Sequence, residues 1–218
     1  AKEESIETIL EMAEFKKAAS CHTLIASGCL AQRYGDELLQ EIPELDAILG
    51  TGNIDTIGQV VEKAKSKESN FIKSGLPEFV YSDEYGRVRS TPSHYAYVKV
   101  AEGCDNYCTY CVIPKVRGRF CSRPEDSILR EVESLASEGV KEVLLIAQDT
   151  TRYGLDLYGE FRLPNLIRKI ASLKGIEWIR LMYCYPESFT DDLILAMREE
   201  SKVCRYLDIP MQHADNKV

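Results

Sequence analysis

Hydrophobic residues recur with two periods along the first 65 residues. Segments with an apolar residue at every third or fourth position, the spacing of one helix face, alternate with short unbroken apolar runs. Strand–helix alternation with short turns is typical of a parallel α/β layer. The predicted elements are a helix at 2–17, a strand at 22–27, a helix at 31–41, a strand at 46–49 and a helix at 54–65. We therefore expect residues 1–65 to form a parallel α/β domain, incomplete at its amino end.

Residues 66–92 have a different composition. Charged residues, Ser, Gly and Pro dominate there, and no period is sustained. Such a stretch is typical of a connection between domains. It predicts a linker that contains at most one short strand, at 78–82.

Alternation of strands and helices resumes from residue 93. The predicted elements are strands at 95–101, 141–147, 176–183 and 205–210, with helices at 124–138, 163–173 and 190–199 between them. Parallel strands joined by helices form right-handed β/α units. We expect residues 93–218 to form the first part of a β/α barrel, and the whole chain to be of the α/β class.

Composition limits the cellular compartment and the classes of partner to be expected. No apolar run approaches the roughly 18 residues that span a bilayer, and the charged first residues are not a signal peptide. A cytoplasmic protein without membrane contact is therefore expected. The net charge of −8 disfavours a whole-surface nucleic-acid binder, because phosphate affinity comes mainly from Lys and Arg. The first residue is not Met and the last follows a strand-like run, so we expect a piece of a longer protein.

Eight cysteines without a secretion signal favour metal or redox use over disulfides. Cys104, Cys108 and Cys111 follow the first predicted barrel strand at C-x3-C-x2-C spacing. Thiolates suit iron–sulfur clusters and zinc. Three ligands would leave one iron open to bind a substrate. The alternatives are a zinc site closed by Cys121 and unrelated buried cysteines.

This loop resembles that of the radical S-adenosylmethionine superfamily. The resemblance implies a [4Fe–4S] cluster on the three cysteines, whose open iron is chelated by the amino and carboxylate groups of S-adenosylmethionine. One electron then cleaves that cofactor to methionine and a 5′-deoxyadenosyl radical, which abstracts a substrate hydrogen. Tyr110 matches an aromatic residue that is common in the family beside the cofactor. Its alternative role is loop packing.

Further motifs resemble the methylthiotransferase branch of that superfamily. They are Ile113-Pro114, Arg117-Gly118 and Ser122-Arg123 after the cysteine loop, and the segment SGCLAQRYGDEL at 27–38. The resemblance of the segment at 27–38 implies that Cys29 is the third ligand of a second [4Fe–4S] cluster. The other two ligands of that cluster precede residue 1 in the family. Cys21 matches no ligand and is expected to be a structural thiol.

Two short motifs distinguish classes within the branch. Ala147-Gln148-Asp149-Thr150 and Pro210-Met211-Gln212-His213 resemble the ribosomal-protein enzymes, whereas the transfer-RNA enzymes typically have G-Q-N-V-N and P-V/L-Q-S. The resemblance implies methylthiolation of an aspartate β-carbon in protein twelve of the small ribosomal subunit. An electron donor such as a flavodoxin or ferredoxin is implied as a second partner. The alternatives are a transfer-RNA adenosine methylthiotransferase, which would bind nucleic acid, and a non-catalytic metal-binding module.

Other polar residues have two interpretations each, and none is identified as catalytic. Gln148 and Asp149 follow a strand and either face the cofactor or cap a turn. Arg180 lies inside an apolar strand and holds either a cofactor carboxylate or an internal acid. A basic run either contacts an anion or is a solvated loop, and its members are Lys115, Arg117, Arg119 and Arg123. The 218 residues alone are expected to be inactive in methylthiolation.

Overall fold

The structure, a computed structural model, describes residues 2–66, 71–73, 75, 87–211 and 215–216. They belong to two compact units, residues 1–79 with 107–118 and residues 80–106 with 119–218. The predicted strand at 78–82, and Gln212 and His213 of the last motif, lie outside the described residues.

The first unit is a three-stranded parallel sheet in the order β1-β2-β3, with helices packed on it. Its buried core joins the sheet to α2, where a side chain on Gly35 would meet Ile48 Cγ2 at 3.0 Å. The absence of a side chain on Gly35 thus lets α2 approach the sheet. The elements are α1 (Lys2–Lys17), β1 (Ile25–Ser27), α2 (Cys29–Glu41), β2 (Ala47–Leu49), α3 (Ile57–Lys65), β3 (Phe71–Lys73) and α4 (Ile113–Arg117), with a 3-10 turn at Ile54–Thr56.

Strand β3 lies in the segment 66–92 that the sequence assigns to a linker. It pairs in parallel with β2, in the register Ile48 to Ile72. Three residues are too few to show a period, so the pattern could not reveal this strand. The domain boundaries at 65 and 93 stay a prediction.

The second unit contains a three-stranded parallel sheet in the order β4-β7-β8 and an antiparallel pair, β5 with β6. The elements are β4 (Tyr95–Lys99), β5 (Ala101–Glu102), β6 (Cys121–Ser122), α5 (Glu125–Ser137), β7 (Glu142–Ile146), α6 (Leu155–Tyr158), α7 (Leu163–Ser172), β8 (Trp178–Leu181) and α8 (Asp191–Glu199), with 3-10 turns at Thr150–Arg152 and Pro186–Ser188.

The core of the second unit lies on one face of its sheet. Alternate strand residues point into it, and each of those is at most 1% exposed. They are Ala96, Val98, Val143, Leu145, Ile179 and Leu181. Apolar residues of α5 and α7 belong to the same cluster. The predicted α/β class is therefore confirmed. None of the described helices has the length and apolar composition needed to cross a bilayer.

The fourth predicted barrel strand, 205–210, is wrong. In the described part of that segment the chain is irregular and forms no ladder with β8. Val203, just before it, bridges to Ile179, and the Asp208 carbonyl accepts from the Cys184 N–H, beyond the end of β8, at 2.8 Å. A strand needs a continuous ladder, and the exposed Tyr206 and Leu207 between these two points have none.

Arg123 is fully buried, which corrects both interpretations of the basic run for this residue. Its guanidinium donates to the Glu131 carboxylate of α5, to Ser127 Oγ at 2.9 Å and to the Lys99 carbonyl at 3.2 Å. Arg87, from the segment before β4, donates to the other oxygen of Glu131 at 2.7 Å. A buried cation requires such partners, so Arg123 is a structural residue.

Replacing Glu131 by Gln would leave the Arg123 guanidinium buried without a counter-charge. Removing one partner of a buried ion pair costs about 3–5 kcal/mol. We expect Glu131→Gln to lower the free energy of unfolding by about that amount. Urea denaturation followed by circular dichroism measures it.

The matched control is Glu133→Gln, on the exposed face of the same helix. It is expected to change stability by less than about 0.5 kcal/mol. Equal unfolding midpoints for the two variants would contradict the role of Glu131.

Candidate functional site

The cysteine loop leaves the second unit at the end of β5. Gly103 turns the chain there with φ 70°, and Cys104 follows it with 8% exposure. The loop returns at β6, where Cys121 pairs with Glu102. The Phe120 N–H donates to Asp105 Oδ1 at 3.1 Å just before that return. The start of the loop is therefore held against its end by β5, β6 and this hydrogen bond.

Cys108 and Cys111 are half-buried and joined by a tight turn. The Cys111 N–H donates to the Cys108 carbonyl at 2.9 Å, and Tyr107 precedes the turn with φ 47°. The side chain of Tyr110 is largely exposed. Partial desolvation, and then the adjacent Cys108 sulfur, raise the pKa of the Tyr110 hydroxyl. Tyr110 is therefore placed next to a predicted ligand, and cofactor binding by its ring stays a prediction.

The donor chemistry of this loop fits an iron–sulfur cluster. All three cysteines are free thiols, and residues 103–112 form neither helix nor strand. Among the described residues, no three His, Cys, Asp or Glu side chains are arranged to hold a metal ion. The three thiols of the motif are therefore present without disulfide bonds but are not arranged around a metal site, and cluster binding by these residues stays a prediction.

Asp149 joins the carboxyl end of β7 to the cysteine loop. Its side chain is buried, and it accepts from Asn106 Nδ2 at 3.2 Å and from Thr151 Oγ1 at 2.6 Å. Asn106 lies two residues after Cys104, and its N–H contacts the Cys104 sulfur at 3.5 Å. The sequence did not point to Asn106, because a neutral polar residue in a loop has no distinguishing pattern.

Thr151 extends this link to the carboxyl end of β8. Its hydroxyl oxygen accepts from the Tyr185 N–H at 3.1 Å, and the Thr150 hydroxyl donates to the Met182 carbonyl at 2.6 Å. The segment Asp149-Thr150-Thr151 therefore ties two neighbouring strand ends together. Asp149 precedes the 3-10 turn Thr150–Arg152, but its side chain makes no capping hydrogen bond to the backbone of that turn.

The other two predicted cofactor residues of this unit lie in different settings. Gln148 is half-buried at the end of β7. Arg180 donates from Nε to Glu142 Oε1 at 2.7 Å, and this hydrogen bond raises the pKa of Arg180. Arg180 thus forms the internal salt bridge that the sequence offered as an alternative. Cofactor binding by Gln148 and Arg180 stays a prediction.

Cys29 is the first residue of α2 and is separated from β1 by one residue, Gly28. Gly28 makes this junction with φ 113°. The half-buried Cys29 lines a cleft of about 590 Å³ in the first unit, together with Glu4 and Ser5 from the first turn of α1. Gln32, one turn further along α2, has a buried Oε1 without a hydrogen-bond partner in the described chain. A cluster ligand at Cys29 stays a prediction.

The cysteines outside the motifs divide by burial. The Cys21 thiol is half-buried and donates to the Thr23 carbonyl at 3.3 Å, which agrees with a structural thiol. Cys184 and Cys204 are buried, and burial raises the pKa of both thiols, that of Cys184 to about 12. Cys121 is exposed, although partial desolvation also raises the pKa of its thiol.

Alkylation by iodoacetamide should separate Cys121 from Cys184. The thiolate is the reactive form, and with a pKa of about 12 it makes up on the order of 10⁻⁴ of Cys184 at pH 8. We expect the exposed Cys121 to be modified first, and Cys184 to react only as the pH approaches 12 or the chain unfolds. Peptide mass spectrometry of native and urea-treated samples measures both sites. Equal native rates would contradict the burial of Cys184.

Comparison with known proteins adds evidence on the family. The family model described as the Radical SAM superfamily matches residues 98–218, more than half of the chain. A protein named ribosomal protein uS12 methylthiotransferase RimO from Desulfitobacterium hafniense is 65% identical over the whole chain, which covers 49% of that relative. The protein of the same name from Heliobacterium modesticaldum is 55% identical, and the chain covers 47% of it.

The chain therefore spans about half the length of the curated relatives it matches. Among solved structures there is a remote likeness to a radical S-adenosylmethionine methyltransferase, TsrM, from Kitasatospora setae. The TM-score is 0.46 at 21% identity, covering 61% of this chain and 27% of that one.

Proposed function

We propose that this chain, which belongs to the radical SAM superfamily, is part of a methylthiotransferase that modifies an aspartate of small-subunit ribosomal protein uS12. The observation that supports this most is 65% identity over all 218 residues to a relative named for that activity. The motifs at 104–111 and 147–150 both lie within the matched region, and Asn106 and Asp149 connect them at 3.2 Å.

The first cluster is proposed to be held by Cys104, Cys108 and Cys111. When bound, the cluster and S-adenosylmethionine would supply the electron and the hydrogen-abstracting radical for the reaction. The protein's own residues position the loop: Asp149 and Asn106 restrain the chain just after Cys104. The burial of Cys104 excludes water from the first ligand.

The second cluster is proposed to be held by Cys29 and two further cysteines, and to present the sulfur. The cleft beside Cys29 supports this, because the first turn of α1 borders it. A ligand placed directly before α1 would therefore lie near the Cys29 thiol. The β1 strand end and Gly28 turn the first residue of α2 toward that cleft.

The proposed target is a protein rather than an RNA. The segment Ala147-Gln148-Asp149-Thr150 supports this by its resemblance to the ribosomal-protein enzymes, and the net charge of −8 favours a basic protein over a polyanion. An electron donor such as a flavodoxin or ferredoxin and a cytoplasmic location follow from the same proposal.

Acceptor specificity tests this function. The full-length enzyme, reconstituted anaerobically with iron and sulfide, is given S-adenosylmethionine, a reductant and either purified uS12 or transfer RNA. We expect a methylthio group on one aspartate of uS12, located by peptide mass spectrometry, and none on the RNA. The matched control is Cys108→Ala, which is expected to lose the first cluster and all product.

Modification of RNA alone would overturn the choice of target. Roughly one zinc and no iron in the reconstituted enzyme would overturn the radical mechanism altogether.

The second cluster has a separate test in Cys29→Ser. We expect this variant of the full-length enzyme to bind about half as much iron, since one of two clusters loses a ligand. It should still cleave S-adenosylmethionine but form no methylthio product. Iron analysis and chromatography of the nucleoside product measure the two properties.

The matched control is Cys21→Ser, another half-buried thiol of the same unit. It is expected to keep the full iron content and the methylthio product. Full iron content in Cys29→Ser would contradict its role as a ligand.

A further inference from the structure

Arg152 carries a positive charge that the described residues do not neutralise directly. No carboxylate of the described chain lies within ion-pair distance of its guanidinium. Its Nε is buried without a hydrogen-bond partner there, and Nη1 makes only a long contact, 3.5 Å, to Asn106 Oδ1. The guanidinium also lies 5.8 Å from the centre of the Phe120 ring. A half-buried cation with spare hydrogen-bonding capacity is costly unless an anion completes the site.

Asn106 connects this cation to the cysteine loop. Its amide oxygen accepts from Arg152 while its amide nitrogen donates to Asp149 at 3.2 Å, so the orientation of the amide is defined from both sides. The backbone N–H of the same residue contacts the Cys104 sulfur. The guanidinium is therefore two contacts from the first predicted ligand, within the same compact unit.

We infer that Arg152 is a positioning residue whose charge compensates the thiolate charge of the cysteine loop and sets the reduction potential of the cluster bound there. The inference rests on the proposed cluster. Three thiolates bring three negative charges to the loop, and reduction adds another. A fixed cation nearby stabilises the reduced form, because net charge and hydrogen bonding around the sulfurs determine the potential of such clusters.

Asp149 determines where this cation acts. It holds Asn106 through the amide nitrogen and is itself fixed by the Thr151 hydroxyl at 2.6 Å. The buried carboxylate thus aligns the amide without contacting Arg152 as an ion pair. The Asn106 amide thereby holds Arg152 in place.

The experiment compares Arg152→Gln, Arg152→Lys and the unchanged full-length enzyme after anaerobic reconstitution. The second cluster is removed from all three by Cys29→Ser, so that a single [4Fe–4S] centre is measured. Redox titration followed by electron paramagnetic resonance gives the midpoint potential, without S-adenosylmethionine. Iron analysis establishes that each sample carries a cluster.

We expect Arg152→Gln to bind iron normally and to disfavour the reduced cluster by about tenfold, a shift of about 59 mV to more negative potential for one electron. Arg152→Lys keeps the charge and should stay close to the parent. The matched control is Arg162→Gln. Within the described part of the chain, Arg162 also has a buried Nε without a partner, but it is paired with Glu160 and has no hydrogen bond or ion pair to the loop.

An unchanged potential in Arg152→Gln would overturn the inference, as would an equal shift in Arg162→Gln. If Arg152→Gln loses its iron, Asn106→Ala is measured instead, because that variant keeps the guanidinium but removes the amide that holds it. An unchanged midpoint potential in Asn106→Ala would overturn the inference. A parent enzyme without any iron would defeat the proposed function as well.

Discussion

The buried guanidinium of Arg123 holds the second unit together at the place where the cysteine loop begins and ends. Its backbone N–H donates to the Val100 carbonyl at 2.8 Å, and its side chain donates to the Lys99 carbonyl and to the Glu131 carboxylate. Val100 immediately precedes β5, and Arg123 immediately follows β6. One side chain therefore joins the two ends of the loop to helix α5, and the strength of this ion pair comes from the absence of water around it.

Polar contacts at the strand ends depend on that arrangement. Ser122 accepts from the Gly154 N–H at 2.9 Å and donates to Asp156 at 2.5 Å, so the residue beside Arg123 fixes the chain that follows Asp149. The Tyr153 hydroxyl donates to the Arg123 carbonyl at 2.9 Å. Asp149 and the cysteine loop are thus positioned by the same few hydrogen bonds, although they are 45 residues apart in sequence. A site built this way is determined by long-range contacts rather than by local helix or strand propensity.

The sequence predicted most helices and strands because amphipathic periods extend over whole elements. It also singled out Cys104, Cys108 and Cys111, since their C-x3-C-x2-C spacing is visible in the chain, and their role as ligands stays a prediction. It could not predict β3, which has three residues, or the irregular path at 205–210, because an apolar pattern does not tell whether a neighbouring strand is available. Arg123 looked like part of a basic loop because its partner, Glu131, lies on the next helix. Asn106 gave no signal, because its importance comes only from the groups that it contacts.

The burial of Cys184 has a consequence for how the protein ages in air. Thiols oxidise through the thiolate, first to a sulfenic acid and then to disulfides or irreversible acids. A thiol with a pKa of about 12 is nearly inert on this route, whereas half-buried thiols such as Cys108 and Cys111 are within reach of oxidants. Oxidative damage should therefore begin at the exposed Cys121 and the loop thiols and leave the core of the second unit intact. An aged sample would then have oxidised the thiols that are proposed to bind the cluster, while its circular dichroism still looked native.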